Sequence, residues 1–93
     1  NEYRKEIYED AKILYPKNLK RQALYFDQHT YLCSLLDRND RCTMGASIEC
    51  REPFLDPRLI AGLGSLGDEW FFTGKKGKFI LKTAMENRLP KKF

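Results

Sequence analysis

Residues 24–56 read LYFDQHTYLCSLLDRNDRCTMGASIECREPFLD, and this stretch decides both the fold class and where a site is sought. In its first half, apolar residues recur at spacings of three and four, which is typical of a helix with one buried face. Its end places Glu49, Arg51 and Asp56 among apolar residues. Because charges are costly to bury unless they pair or meet a ligand, this end predicts either internal ion pairs or the wall of a binding site.

Helical patterns extend towards the N-terminus from this stretch. Residues 3–14 carry an apolar stripe at helical spacing, and Pro16 ends that pattern. Asn18 is a suitable N-cap for a second helix, whose apolar pattern runs through Thr30 to Leu35. This second helix is expected to be substantially buried.

A polar stretch and a third helix follow. Residues 37–40 are polar enough to be either a break or a continuing exposed turn, and a short third helix then ends near Glu49. Pro53 disfavours helical geometry in Glu52, so residues 51–54 are expected to be extended. The charged end of the stretch therefore lies in an extended connection between helices.

Two further helices follow this connection. Asp56 and Pro57 suit the N-cap and the first position of a fourth helix, which the glycines between residues 62 and 67 shorten. A last helix spans residues 78–88 and stops before Pro90. Since no segment alternates as a strand would, the predicted fold class is all-α, a bundle of about five helices.

Size and charge limit the function. A chain of 93 residues forms at most one domain with a thin core, although 42% hydrophobic residues exceed what a disordered segment carries. The net charge of +4 is spread along the chain apart from two lysine clusters, which argues against nucleic-acid binding. An alternative function stays open: a small basic interaction module that binds an acidic partner or nucleic acid through Lys75, Lys76, Lys78, Lys91 and Lys92.

The cysteines and the hydropathy indicate the compartment. Cys33, Cys42 and Cys50 form no Cys-x-x-Cys pair, which argues against a disulfide framework or a structural zinc site. Reduced, mostly buried thiols and a cytoplasmic location are therefore expected. No stretch approaches the roughly 20 apolar residues of a membrane span, and no signal peptide is recognisable.

No pattern of a familiar catalytic centre occurs. His29 has no linked nucleophile motif, and neither metal-ligand spacing nor a phosphate-binding loop is present. By elimination, Arg51 could bind a carboxylate or phosphate, Asp40 an amino group, and Glu49 could hold an arginine in place. The alternative is that Asp40, Arg41, Glu49 and Arg51 form internal salt bridges between the third helix and the extended connection.

Several motifs occur in a fixed order: Leu24-Tyr25-x-Asp27, Asp40-Arg41, Thr43-Met44 and Ser47-Ile48-Glu49-x-Arg51-x-Pro53-Phe54-Leu55-Asp56. A weaker set follows at Lys78-x-x-Leu81-Lys82-x-Ala84 and Leu89-Pro90. Their order and spacing closely resemble the synthetase domain of glutamine-dependent asparagine synthetases. The resemblance implies that the chain is the helical C-terminal portion of a larger α/β nucleotide-binding synthetase domain.

The resemblance also implies a chemistry for the parent protein. Family members activate a carboxylate with ATP, release pyrophosphate, and let ammonia from glutamine attack the acyl-adenylate to give an amide. ATP and Mg²⁺ are then the cofactors, with their ligands outside this chain, and a carboxylate and ammonia are the partners. No catalytic residue and no metal ligand is implied here. Substrate binding is implied for Asp40 and Arg51, and supporting roles for Asp27, Arg41, Glu49 and Asp56.

The chain lacks three motifs of that family: Ser-Gly-Gly-x-Asp-Ser, Gly-Glu-Gly-x-Asp-Glu and Arg-x-Lys-x-x-Phe. The isolated chain is therefore expected to be inactive, and apolar surface left by missing neighbours favours a homodimer. Cys42 and Gly45 replace small or alanine-like residues, and Cys50 and Glu52 stand where the family usually has aliphatic ones. These departures leave the carboxylate substrate open.

Overall fold

The computed structural model describes residues 1–74 and 77–90. The chain divides into two compact units, residues 1–51 and residues 52–93. Throughout the described part, the regular structure is helical and contains no strand, so the predicted all-α class is confirmed. The α-helices are α1 (Glu2–Leu14), α2 (Leu19–His29), α3 (Tyr31–Gly45), α4 (Pro57–Gly64) and α5 (Phe79–Met85). Thr30 alone separates α2 from α3. If these two are counted as one helix, the described residues contain four α-helices.

In the first unit, α1 packs against α2. Ile7 and Ala11 are the buried apolar residues of this contact, and they lie on the stripe that the sequence predicts. The Gln22 side chain, also buried, donates from Nε2 to the backbone carbonyl of Tyr15 at 2.7 Å. At the other end of the pair, the Tyr3 hydroxyl donates to the carbonyl of His29 at 3.1 Å. Polar contacts thus fix both ends of a small apolar contact.

The second and third helices are separated at Thr30, where the sequence predicts continuous helix, and of the two alternatives for residues 37–40 the continuing turn is the one observed. Thr30 has φ −124° and ψ −73°, and its Oγ1 donates to the Phe26 carbonyl at 2.7 Å. A β-branched side chain that bonds its own preceding turn competes with continued helix formation. Residues 37–40 instead continue α3, where Arg41 Nε bonds Asp37 Oδ1 at 3.0 Å with helical i, i+4 spacing.

The end of α3 is a left-handed turn that reverses the chain. Ser47 has φ 58°, its N–H donates to the Met44 carbonyl at 2.9 Å, and the Ile48 N–H donates to the Thr43 carbonyl at 3.0 Å. These two bonds are those of a Schellman motif, in which the last carbonyls of a helix are satisfied by the residues that follow it. The third helix therefore ends at Gly45 rather than near Glu49.

The second unit begins with a 3-10 helix at Pro53–Leu55, so the extended geometry predicted for residues 51–54 was partly wrong. Asp56 caps α4 as predicted: its side chain accepts from the Arg58 N–H, and Pro57 is the first helical residue. A second 3-10 helix spans Asp68–Trp70, and α5 is shorter than the predicted last helix. Four of the lysines assigned to the basic-module alternative, Lys75, Lys76, Lys91 and Lys92, lie outside the described residues.

Much apolar surface is exposed. Among the described residues, burial is limited to Ile7, Ala11 and Gln22, all in the first unit. The second helix was predicted to be substantially buried, yet Leu19 is 78% exposed and Leu24 is exposed as well. Further exposed large apolar residues include Ile13, Tyr31, Ile48, Phe54, Ile60 and Leu89. A sequence with 42% hydrophobic residues therefore covers little of its apolar surface with its own atoms.

Candidate functional site: the connection after the third helix

The candidate site is built on the end of α3 and the connection formed by residues 46–51. The Schellman motif turns the chain back at Ile48, and the Asn39 side chain then donates from Nδ2 to Cys50 Sγ at 3.3 Å. Ile48 thus contacts α3 at Thr43, whereas Cys50 contacts it at Asn39, one helical turn closer to the N-terminus of the helix. The connection therefore runs back along α3.

Arg51 and Glu49 form the charged face of this connection. A guanidinium nitrogen of Arg51 lies 2.7 Å from Glu49 Oε1, and the two side chains are 84% and 68% exposed. An exposed pair of this kind contributes about 0–1 kcal/mol to stability because water screens it. The pair therefore holds a guanidinium at the surface without burying a charge.

Asp40 directly follows in sequence the α3 residue that contacts this connection. It is an exposed residue of α3, directly after Asn39, just as Arg51 directly follows Cys50. The bond between Asn39 and Cys50 therefore joins the chain segments that carry Asp40 and Arg51. No direct contact between the two charged side chains is described in residues 1–51. Their assignment to substrate binding stays a prediction.

Arg41 and Asp27, two further predicted residues, have other surroundings within the first unit. Arg41 pairs with Asp37 inside α3 at 3.0 Å, with both side chains largely exposed. Asp27 lines a cavity of about 350 Å³ with residues of α1 and α2: Tyr8, Leu19, Gln22, Ala23 and Phe26. The supporting roles predicted for Arg41 and Asp27 also stay predictions.

Asp56 belongs to the second unit, where it has a structural task. Its Oδ1 accepts from the Arg58 N–H at 2.8 Å and its Oδ2 lies 2.8 Å from an Arg58 guanidinium nitrogen. Hydrogen bonds from the Arg58 side chain and backbone hold the pKa of the Asp56 carboxyl below its ordinary value, and the same pair raises the pKa of Arg58. The N-cap role predicted from sequence is confirmed, whereas a role at a substrate site is not tested by this geometry.

The predicted ion-pair network takes a different form from the one expected. The described pairs of Arg41 and Arg51 are local, each within one segment, and neither ties α3 to the connection. That link is made by Asn39 with Cys50 and by the backbone of Ile48 with Thr43. Sequence reasoning missed Asn39, because an amide in a polar helical stretch has no distinguishing spacing.

None of the three cysteines is in a disulfide bond, and the prediction that they are mostly buried was wrong. Cys33, Cys42 and Cys50 are all exposed. In the described part of the chain, no group of His, Cys, Asp and Glu side chains is placed to hold a metal ion. Within residues 1–74 and 77–90, no helix combines the length and the apolar character needed to cross a bilayer.

Comparison with known proteins identifies the family. A sequence model of asparagine synthase matches residues 9–93. The chain is 39% identical over 71 residues to the glutamine-hydrolyzing asparagine synthetase 3 of Bacillus subtilis (strain 168), an alignment that covers 76% of this chain and 12% of that protein. No solved structure gives a significant match. The chain belongs to the asparagine synthase family.

Proposed function

We propose that this chain forms a helical part of the synthetase domain in an ATP-dependent, amide-forming ligase that takes ammonia from glutamine. The family match over residues 9–93 is the observation that carries this proposal. The chain spans about 12% of the length of the curated relative it matches, so the proposed activity belongs to a larger assembly of residues. The relative's name specifies asparagine synthesis with glutamine hydrolysis.

The exposed apolar surface supports a role as part of a larger domain. Leu19 is 78% exposed and Ile13 is 77% exposed. Burial of apolar surface contributes roughly 25 cal/mol per Å², so each few tens of Å² left in water forgo several hundred cal/mol of stabilisation. A domain that supplied neighbouring apolar surface would recover this free energy. We propose that the isolated chain recovers part of it by forming a homodimer, which sedimentation of the chain over a range of concentrations would test.

ATP and Mg²⁺ do not fit the residues of this chain. In the described residues no cluster of acidic side chains offers a magnesium site, and the sequence contains no glycine-rich phosphate loop. We therefore assign nucleotide binding to residues outside the chain. The isolated 93 residues are expected to catalyse no exchange of pyrophosphate into ATP.

Within the parent protein, Arg51 would bind the anionic part of the substrate. Its guanidinium is exposed and has a planar set of donors that suits a carboxylate or phosphate. Glu49, 2.7 Å away, would orient that guanidinium, and Asp40 on α3 would accept an amino group of the substrate. Arg41, Asp27 and Asp56 would act as supporting residues through the elements that they stabilise.

A chimeric enzyme tests this proposal. In it, the part of this chain that aligns with the Bacillus subtilis relative, 71 residues long, replaces the matching stretch of that protein. Glutamine-dependent asparagine formation is then measured. The proposal predicts retained activity, with Asp40→Asn raising the KM for aspartate about tenfold because a charged hydrogen bond to the substrate is lost. The matched control is Arg38→Gln, which neutralises another exposed charge of α3 and should leave that KM unchanged. A folded chimera without activity, or equal effects of the two substitutions, would contradict the proposal.

A further inference from the structure

We propose that Cys42 and Cys50 form a reversible disulfide bond that fastens the connection of residues 46–51 to α3. The sequence alone argues against a disulfide framework. In the structure, however, Cys42 and Cys50 belong to the same end of α3, whereas Cys33 lies near the other end. All three cysteines are exposed and none is in a disulfide bond, so oxidants and thiol reagents can reach them. The two cysteines proposed to pair lie on either side of the chain reversal at Ser47.

The position of Cys50 is fixed against α3. Its Sγ accepts a hydrogen bond from Asn39 Nδ2 at 3.3 Å. The Schellman motif at the helix end, with the Ile48 N–H on the Thr43 carbonyl at 3.0 Å, holds the returning chain from its other side. Cys50 therefore lies against the helical turn that contains Asn39, even though eleven residues separate the two in sequence.

Cys42 lies on that same turn. It follows Asn39 by three residues in α3, the spacing at which helical side chains are neighbours. Because side chains on a helix tilt towards its N-terminus, the Cys42 thiol is directed back over the turn of Asn39. The Cys50 sulfur thus contacts the Asn39 side chain from the returning connection, and Cys42 lies one helical turn along α3 from that contact.

Cys33 does not share this placement. Nine residues separate it from Cys42 within the single helix α3, which corresponds to about 13.5 Å along the axis. A disulfide requires Cα atoms within about 7 Å, so these two cysteines cannot pair while α3 is intact. The Cys33 Sγ also donates to the Gln28 carbonyl at 3.4 Å, at the opposite end of α3.

The bond would form by thiol–disulfide exchange with a small disulfide such as oxidised glutathione. The thiolate of one cysteine attacks the glutathione disulfide, which breaks its S–S bond and releases one glutathione thiolate. The second cysteine, having lost its proton to solvent, attacks the mixed disulfide and releases the other glutathione. Two protein thiols are oxidised and one glutathione disulfide is reduced to two thiols.

The bond would restrain the segment that carries Glu49 and Arg51, since Cys50 lies between them. The inference of the bond itself does not rest on the proposed function. It stands or fails on the thiols of this chain, whereas the proposed function is tested in the chimera. If the bond forms and the chimera is also active, oxidation would give that enzyme a means of regulation.

Tryptic digestion tests the inference directly, because Cys42 and Cys50 fall in one peptide, residues 42–51, and Cys33 falls in another. The chain is treated with oxidised glutathione, free thiols are alkylated, and the peptides are weighed. A Cys42–Cys50 bond gives peptide 42–51 lighter by two hydrogen atoms and unalkylated, whereas a bond from Cys33 to either Cys42 or Cys50 joins peptides 22–38 and 42–51. The native chain is expected to give a roughly tenfold excess of the first product.

The same oxidation in urea is the control. The two candidate loops have nearly equal length, so chain statistics alone predict comparable amounts of both products once α3 is unfolded. Cys33→Ser should leave the internal bond of peptide 42–51 unchanged, and Cys50→Ser should abolish it. Comparable amounts of both products in the native chain, or bonds only between chains, would overturn the inference. A chain unfolded by a substitution would be recognised from its circular dichroism and replaced by Cys50→Ala.

Discussion

The two units of this chain achieve order in different ways. In the first unit, α2 contacts both α1 and α3, and the few buried side chains belong to α1 and α2. In the second unit, no residue of the ranges 52–74 and 77–90 is buried, and the contact that stands out is local, between α4 and the 3-10 helix just before it. The first unit is therefore held partly by tertiary contacts, whereas the second is held mainly by caps and turns. We infer that the second unit depends more on neighbours outside this chain.

The largest expected effect concerns the apolar contact of the first unit. Ile7→Ala should lower the free energy of unfolding by about 2–3 kcal/mol, because it removes buried methyl groups and leaves a cavity. Ile13→Ala, in the same helix but with a 77% exposed side chain, is the matched control and should change it by less than about 0.5 kcal/mol. Urea denaturation followed by circular dichroism measures both. Equal losses would show that α1 does not pack as described.

A smaller loss is expected at the polar end of the same contact. Gln22→Ala removes the buried amide that donates to the Tyr15 carbonyl at 2.7 Å, and should cost about 1–2 kcal/mol. Gln28→Ala, an exposed glutamine in the same helix, serves as the control and should be nearly neutral. If both variants unfolded at the same urea concentration as the parent chain, the amide would not hold α2 against α1.

The helix caps of the two units should differ in how their stabilising effect depends on pH. Asn18 caps α2 with an amide that does not titrate, whereas Asp56 caps α4 with a carboxylate whose pKa in the folded state is lowered by Arg58. A lowered pKa means that the stabilisation is fully present above the pKa of the unfolded state, roughly 3.9. It is then lost as the pH falls through the lower pKa of the folded state.

The amide resonances of residues near each cap report this loss separately. On acidification below about pH 4, the Arg58 amide should lose its bonded chemical shift before the Arg21 amide does. Asp56→Asn keeps a capping side chain and should remove this pH dependence. The comparison would fail if Asp56→Asn left the acid transition of α4 unchanged.

The smallest expected effect is a gain in the free energy of unfolding. Ser47 has φ 58° at the position of the Schellman motif where glycine is favoured, so Ser47→Gly should stabilise the first unit by about 0.5–1 kcal/mol. Ser34→Gly, inside α3, should have the opposite sign because glycine is unfavourable within a helix. Denaturant titration of both variants checks the sign. Destabilisation by Ser47→Gly would indicate that the left-handed turn is not maintained in solution.

The sequence predicts local features well and the distant ones poorly. The N-caps Asn18 and Asp56 and the stop at Pro16 were predicted because each depends on residues within one turn. The break at Thr30 was missed because this threonine continues an apolar helical pattern, and its bond to the Phe26 carbonyl cannot be read from spacing.

The candidate site shows the same limit. The charged residues of the connection could be singled out, because charges in an apolar run are conspicuous. The contacts around these charged residues could not be predicted, because the hydrogen bond from Asn39 to Cys50 joins residues that are eleven apart in sequence and lie on either side of a chain reversal. Cysteine exposure was wrongly predicted from residue type, because a chain that buries so little leaves even apolar side chains at its surface.

The central claim is that Arg51 binds substrate rather than serving only as half of a surface ion pair. Arg58 is its natural control: each arginine lies two residues after its carboxylate partner, with separations of 2.7 Å and 2.8 Å and with highly exposed guanidinium groups. We would measure aspartate-dependent exchange of pyrophosphate into ATP by the chimera with Arg51→Lys and with Arg58→Lys. The proposed function predicts about a tenfold or greater loss for Arg51→Lys alone, because lysine lacks the planar donor set. Equal rates for the two variants would contradict it and leave Arg51 as a structural ion pair.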